Sequence, residues 1–261
     1  MKLLRKVVFT FQLILFLFSS IISLSQGINQ IDAQGRKQGV WKKSYENGQI
    51  RYEGNFKNDQ PVGEFRYYHP NGKLKAIIRH TNDGHSSAAE LYNETGILVA
   101  KGFFYDEHKD KTWEYFNQIN GKLISIENYQ QGIPHGDWIV YFKEDTVVTE
   151  IFTFVHGQKE GPWKQFFPDG KLKLDANYLH HQLDGPYTLY SPEGKELVHG
   201  FYQNGKKIGE WKFFTDDGKL KRIEWYDEDE KIKEEILIPE EPIKDVPLDP
   251  ALDPENQQQY P

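Results

Sequence analysis

Gly209-Glu210-Trp211-Lys212-Phe213-Phe214-Thr215-Asp216-Asp217-Gly218-Lys219-Leu220-Lys221 decides the fold, because the same phrase returns along most of the chain. An anchor glycine is followed two residues later by Trp or Phe. Next come an Asn-Gly or Asp-Gly turn, a Lys-Leu-Lys stretch, and a second aromatic eight residues past the turn glycine. The clearest copies are Gly39–Phe56, Gly63–His80 (with His80 at the second aromatic position), Gly161–Tyr178, Gly185–Tyr202 and Gly209–Tyr226. The anchor falls at Gly39, Gly63, Ser87, Lys111, Gly136, Gly161, Gly185 and Gly209, eight repeats stepping by 24 residues except for two steps of 25. One extra residue lies in the turn Asn117–Gly121 and the other follows Asp145. A fixed period of this length is the mark of a repeat architecture, in which each unit packs on its neighbours.

Each repeat reads as a β-hairpin. In Ile50-Arg51-Tyr52-Glu53-Gly54-Asn55-Phe56 the apolar residues alternate, as they do in Leu172–Tyr178; period two is a strand with one packed and one solvated face. The first halves (Trp41–Tyr45, Phe65–Tyr68, Trp211–Phe214) are short and aromatic, which suits a pleated half-buried surface. Asn-Gly and Asp-Gly between them supply the positive φ of tight turns. Glycine recurs too often for helices, and no apolar run holds a 3.6-residue period.

The phrase Gly209–Lys221 resembles the MORN-type repeat in its bacterial variant form, the form attached to YwqK-like antitoxin proteins. The resemblance covers about three quarters of the chain and implies an all-β fold. That fold is an elongated single-layer antiparallel β-meander of about eight 24-residue β-hairpin repeats. It also implies a scaffold for proteins or, in some cases, membrane lipids.

Lys2, Arg5 and Lys6 precede the apolar run Val7–Phe18, and small serines end the segment before Gln26. This pattern predicts a signal peptide over 1–25 and export to a periplasmic or extracellular location; an uncleaved signal anchor is the competing reading. The repeat array then occupies 26–226, and 227–261 is an acidic, proline-rich tail that reads as disordered. Lys231–Ile238 could add one last strand. The chain has no cysteine, so it has no disulfide and no thiolate chemistry. The formal charge is −7: the leader contributes three positive charges and the tail twelve acids against three lysines, leaving the array near −1. A near-neutral array argues against nucleic acid and weakens binding to anionic lipid.

The nine histidines show no metal-ligand spacing, and Asp227–Glu230 lacks the spacing of a calcium loop. No nucleophile elbow or phosphate loop is present. Glu53, Glu64, Glu127, Asp137, Asp175 and Glu210 recur with the period and read as solvated-face residues. The expectation is therefore a protein without catalytic activity, metal or cofactor. The ladder Trp41, Phe65, Trp113, Trp138, Trp163, Tyr187 and Trp211 reads as a packed core. The adjacent aromatics Tyr68, Phe116, Phe167 and Phe214, set opposite Tyr67, Tyr115, Phe166 and Phe213, are the candidate binding residues. An unidentified protein partner in the cell envelope or outside the cell is the expected ligand. A glycan or membrane lipid, or a toxin neutralised by an immunity protein, are the alternatives.

Overall fold

The computed structural model describes residues 27–81, 84–142 and 147–239. The predicted leader, the tail beyond residue 239 and the second extra residue near Asp145 lie outside the described residues. The chain divides into two units, Met1–Glu160 and Gly161–Pro261.

The first unit is an antiparallel meander in which strands pair in sequence order up to β9. The short β1 (Gln30–Ile31) lies on β2 (Lys37–Ser44). It is followed by β3 (Ile50–Lys57), β4 (Gln60–Tyr68), β5 (Leu74–His80), β6 (Ser86–Tyr92), β7 (Leu98–Tyr105), β8 (His108–Phe116) and β9 (Leu123–Gln130). β10 (Ile133–Pro134) and β11 (Gly136–Tyr141) both pair with β9, and β12 (Val148–Val155) closes the series.

β13 (Gln158–Phe166) begins at the junction. From Gly161 the second unit repeats the pattern through β14 (Leu172–Leu179), β15 (Gln182–Leu183), β16 (Gly185–Tyr190), β17 (Glu196–Gln203), β18 (Lys206–Phe214) and β19 (Leu220–Asp227). β20 (Glu230–Ile236) pairs with β19, so the array runs past Tyr226 and takes up the first part of the acidic segment. β20 is exposed along its length and carries Glu230, Lys231, Lys233, Glu234 and Glu235, charges that discourage edge-to-edge pairing. Among the described residues there is no helix.

The turns divide the work differently from the expectation. Within a hairpin, Gly48 N–H donates to Tyr45 O at 3.0 Å while Tyr45 N–H donates to Gln49 O at 2.8 Å. Only Gly48, at φ 83°, is left-handed. This is a type I turn closed by a glycine bulge. Two-residue turns with both φ values positive join one hairpin to the next, among them Asn58-Asp59, Asp106-Glu107, His180-His181 and Glu228-Asp229. The extra residue of the 25-residue step sits in the turn expected, where Asn117 N–H reaches Lys122 O.

The anchor glycine has a backbone cause. Gly39, Gly63, Gly136, Gly161, Gly185 and Gly209 have φ between 61° and 94°, and register shifts separate Glu53 from Asn55, Lys101 from Phe103 and His199 from Phe201 in the strands paired ahead of such anchors. Lys111 takes the same conformation at φ 58°. Ser87 does not, and β5 and β6 run in unbroken register from Ala76–Leu91 to His80–Ser87.

Candidate functional site: two faces of the meander

Alternation along each strand separates an aromatic face from a charged face. On the aromatic face, the ring two residues past the anchor lies flat on a glycine of the preceding strand. A Cβ added to Gly54 would stand 2.5 Å from the Phe65 ring, one on Gly102 would stand 2.6 Å from Cγ and Cε2 of Trp113, and Gly200 is covered by Trp211 in the same way. These three rings are the most buried of the ladder, with 1%, 1% and 2% of their surface exposed. The indole of Trp113 donates from Nε1 to Phe103 O at 2.8 Å, which fixes its position on the backbone below. Edge-on rings complete the layer, Phe104 on Trp113 at 4.9 Å and Tyr202 on Trp211 at 5.1 Å, in the geometry that aromatic quadrupoles favour.

The Ser87 repeat solves the same packing in reverse. Ala89 stands where the ring belongs, and Ile78 stands opposite it where glycine belongs. Ile78 packs against the buried group of Ala89, Ala100 and Trp113.

Lysines two residues before the anchor cover the rings. Lys37 Nζ lies 5.1 Å and 4.7 Å from the centres of Trp41 and Phe56, and Lys207 Nζ lies 4.6 Å and 4.9 Å from Trp211 and Tyr226. Lys109 reaches Trp113, Tyr115 and Tyr129 at 5.4, 5.0 and 5.0 Å, and Lys159 lies 4.3 Å from Phe152. The positive charge sits over the negative face of each ring.

The other face carries ion pairs in rows across the strands. Glu64 bonds Arg66 at 2.8 Å and Arg79 at 3.1 Å, and Arg79 bonds Glu90 at 2.7 Å. Lys42–Glu53, Lys101–Glu114 and Lys212–Glu210 pair at 2.9–3.0 Å. The hydrogen bond from Lys42 holds the Glu53 carboxyl below its usual range, and that from Arg79 does the same for Glu90. Burial, with the hydrogen bond to Glu90, pushes Tyr92 up to about 12. Phe103 and Phe201, at equivalent repeat positions, are each 45% exposed. Neither was among the candidates from sequence, and the signal for both is their matched spacing from the anchors Ser87 and Gly185.

Two sequence expectations need correction. Tyr68, Phe116 and Phe214 do occupy one repeat position, the last residues of β4, β8 and β18, and pair with Leu74, Leu123 and Leu220. Phe167 does not join them. It is Phe166 that pairs with Leu172, while Phe167 N–H closes the turn on Lys171 O. All four candidates are half-buried; the Tyr68 hydroxyl donates to Glu53 and Lys101 lies 5.7 Å from the Phe116 ring. The second correction is Glu127, which does not share a face with Glu53 and Asp175. The inserted turn residue shifts it opposite Trp113, into the position that holds Gly54 and Gly102, where it accepts the hydroxyls of Tyr129 and Ser125.

A hollow lies on the aromatic face beside the Ser87 repeat. Its volume is about 490 Å³, and it is lined by Pro61, Ile78, His80, Gly84, His85, Ser87, Phe104, Asp106 and Glu107. Among the described residues no three His, Asp or Glu are placed to hold a metal ion, and no helix is long and apolar enough to cross a membrane.

The family model described as MORN repeat variant matches four stretches, residues 37–58, 61–82, 159–180 and 207–224. The chain carries the MORN-variant repeat. The matched stretches begin at or near the ring-covering lysine position and take in the hairpins anchored on Gly39, Gly63, Gly161 and Gly209, so the motif and the packing unit coincide. No curated protein matches the chain. Among solved structures, a crystal structure of TarM is similar at 18% identity and TM-score 0.28, covering 37% of this chain and 19% of that one. An S. aureus TarM mutant in complex with Fondaparinux, alpha-GlcNAc-glycerol and UDP is similar at 14% identity and TM-score 0.29, covering 47% and 21%. The chain thus spans about a fifth of the length of these proteins, and likeness at this level carries no argument about its fold or ligand.

Proposed function

We propose that this MORN-variant array is a non-catalytic, exported binding module whose ligand is a protein in the cell envelope or outside the cell. The observation that supports this most is the repetition of surface chemistry with the backbone period. Rows of ion pairs recur on one face and lysine-covered rings on the other, so contacts add along the array instead of converging on one point. Wide shallow surfaces of this kind suit protein partners. Basic leader residues followed by an apolar run support export. A glycan or lipid surface, or a toxin neutralised by an immunity protein, would use the same faces with a different partner.

Crosslinking capture with the full chain as bait, from native envelope fractions, tests the reading. One protein recovered reproducibly and near stoichiometrically is the expected result. Retention of cell-wall polymer or lipid with no protein would overturn it in favour of the surface-binding alternative.

A further inference from the structure

At four of the eight anchors the residue two places before is a lysine set over aromatic rings; at the other four it is Pro61, His85, Pro134 or Leu183. Lys37, Lys109 and Lys207 each sit two residues before an anchor and lie within 5.4 Å of the rings beside them. The equivalent residues of the Gly63 and Ser87 repeats are Pro61 and His85, and the ring of the second repeat is reduced to Ala89. The hollow of about 490 Å³ opens there.

Its lining retains the partners of a cation without the cation. Phe104 stands at the position of Phe56 and Tyr226, the rings that Lys37 and Lys207 cover. Asp106 and Glu107, on the exposed two-residue turn, place two carboxylates at the rim. His85 Nδ1 lies 2.6 Å from Asp106 Oδ1 and so fixes that carboxylate's orientation. His80 is held edge-on to Phe65 at 5.4 Å, and its Nε2 is buried without a hydrogen-bond partner. Burial lowers the His80 pKa, which disfavours a positive charge on the ring beside an entering cation.

We infer that this hollow is a receptor for a basic side chain, Lys or Arg, of an extended partner segment, which takes the place that the repeat's own lysine takes at four other anchors. A ring and two carboxylates are the groups that recognise an ammonium or guanidinium. The inference names a contact point for the proposed protein partner and rests on that reading, yet its chemistry is testable without the partner.

The experiment titrates histidine-labelled full chain with N-acetyl-lysine methylamide and, in parallel, with the norleucine analogue of the same stem without charge. Saturable shifts of the His80 resonances by the lysine probe are expected, with a dissociation constant on the order of millimolar for a single side chain. The norleucine probe should bind at least about fivefold more weakly. Asp106→Asn with Glu107→Gln, both at exposed positions, should weaken the lysine probe about threefold. His85→Lys, which restores the repeat's own ammonium, should abolish the shifts. No saturable shift at His80, equal binding of norleucine, or undiminished binding to His85→Lys would overturn the inference. Because no partner enters this titration, its failure leaves the proposed function standing, and failure to capture a protein leaves the chemistry of the hollow standing.

Discussion

Replacing Gly102 and Trp113 together tests whether the repeats are held by a size-matched pair. A first methyl on Gly102 would stand 2.6 Å from Cγ and Cε2 of Trp113, where ordinary contact begins at 3.4 Å. The indole must therefore rise by at least about 0.8 Å, the difference of those two distances, since Cδ2 lies closer still. That movement strains the 2.8 Å bond from Nε1 to Phe103 O. Overpacking and the weakened bond together put Gly102→Ile at about 2–4 kcal/mol. Trp113→Ala, at a ring 1% exposed, leaves a cavity that costs about 3–5 kcal/mol. The double variant recreates the Ile78–Ala89 arrangement that the chain already uses in the neighbouring repeat. It should cost at least about 2 kcal/mol less than the sum of the two. Urea unfolding followed by far-ultraviolet circular dichroism, fitted with a nearest-neighbour repeat model, reads this coupling. Single effects that add to within about 0.5 kcal/mol would refute the pairing argument.

Lys111→Gly should stabilise the array by about 0.5 kcal/mol, since relief of the left-handed backbone outweighs the flexibility gained by the unfolded chain and the loss of a contact with Phe103; thermal unfolding checks the sign. Asn71→Ala removes the 3.0 Å bond from Nδ2 to Glu94 O that ties adjacent turns, together with the acceptor of Lys73 N–H, and should cost about 1 kcal/mol in the same assay. Stability should also fall with acid. Glu53 and Glu90 titrate below the ordinary value of 4.5 in the folded chain, so the unfolded chain takes up protons first and the contribution, complete above that value, is lost as pH drops through the folded values. Glu90→Gln should flatten a pH series of urea midpoints between roughly pH 5 and 3, whereas an unchanged slope would contradict the assigned ion pairs.

The hairpin period, the two-faced strands and the ring ladder were legible because they depend on spacing alone. Gly209, Trp211 and Gly218 announce an anchor, a ring and a turn in any order of assembly. Details that depend on how one strand meets the next were not legible. The sequence cannot say that Gly54 and Gly102 are seats for the rings of Phe65 and Trp113, because the pairs are 11 residues apart and meet only through the bulge. For the same reason the weak look of Ser87–Phe104 concealed an exchange of bulk between Ile78 and Ala89. A single inserted turn residue moved Glu127 to the other face, and Phe167 was placed one position out because two consecutive phenylalanines leave the strand end ambiguous. The hollow beside His80 was not legible either, because the lysine column is broken at Pro134 and Leu183 as well as at Pro61 and His85.

The central claim is that binding is distributed along the array, and removal of one repeat at a time tests it most directly. Full-length chain and variants lacking a single 24-residue repeat would be titrated against the captured partner by calorimetry. The account predicts a graded loss, with each deletion weakening binding by a similar modest factor. Abolition by one deletion with no effect from the others would contradict it and locate a single compact site instead.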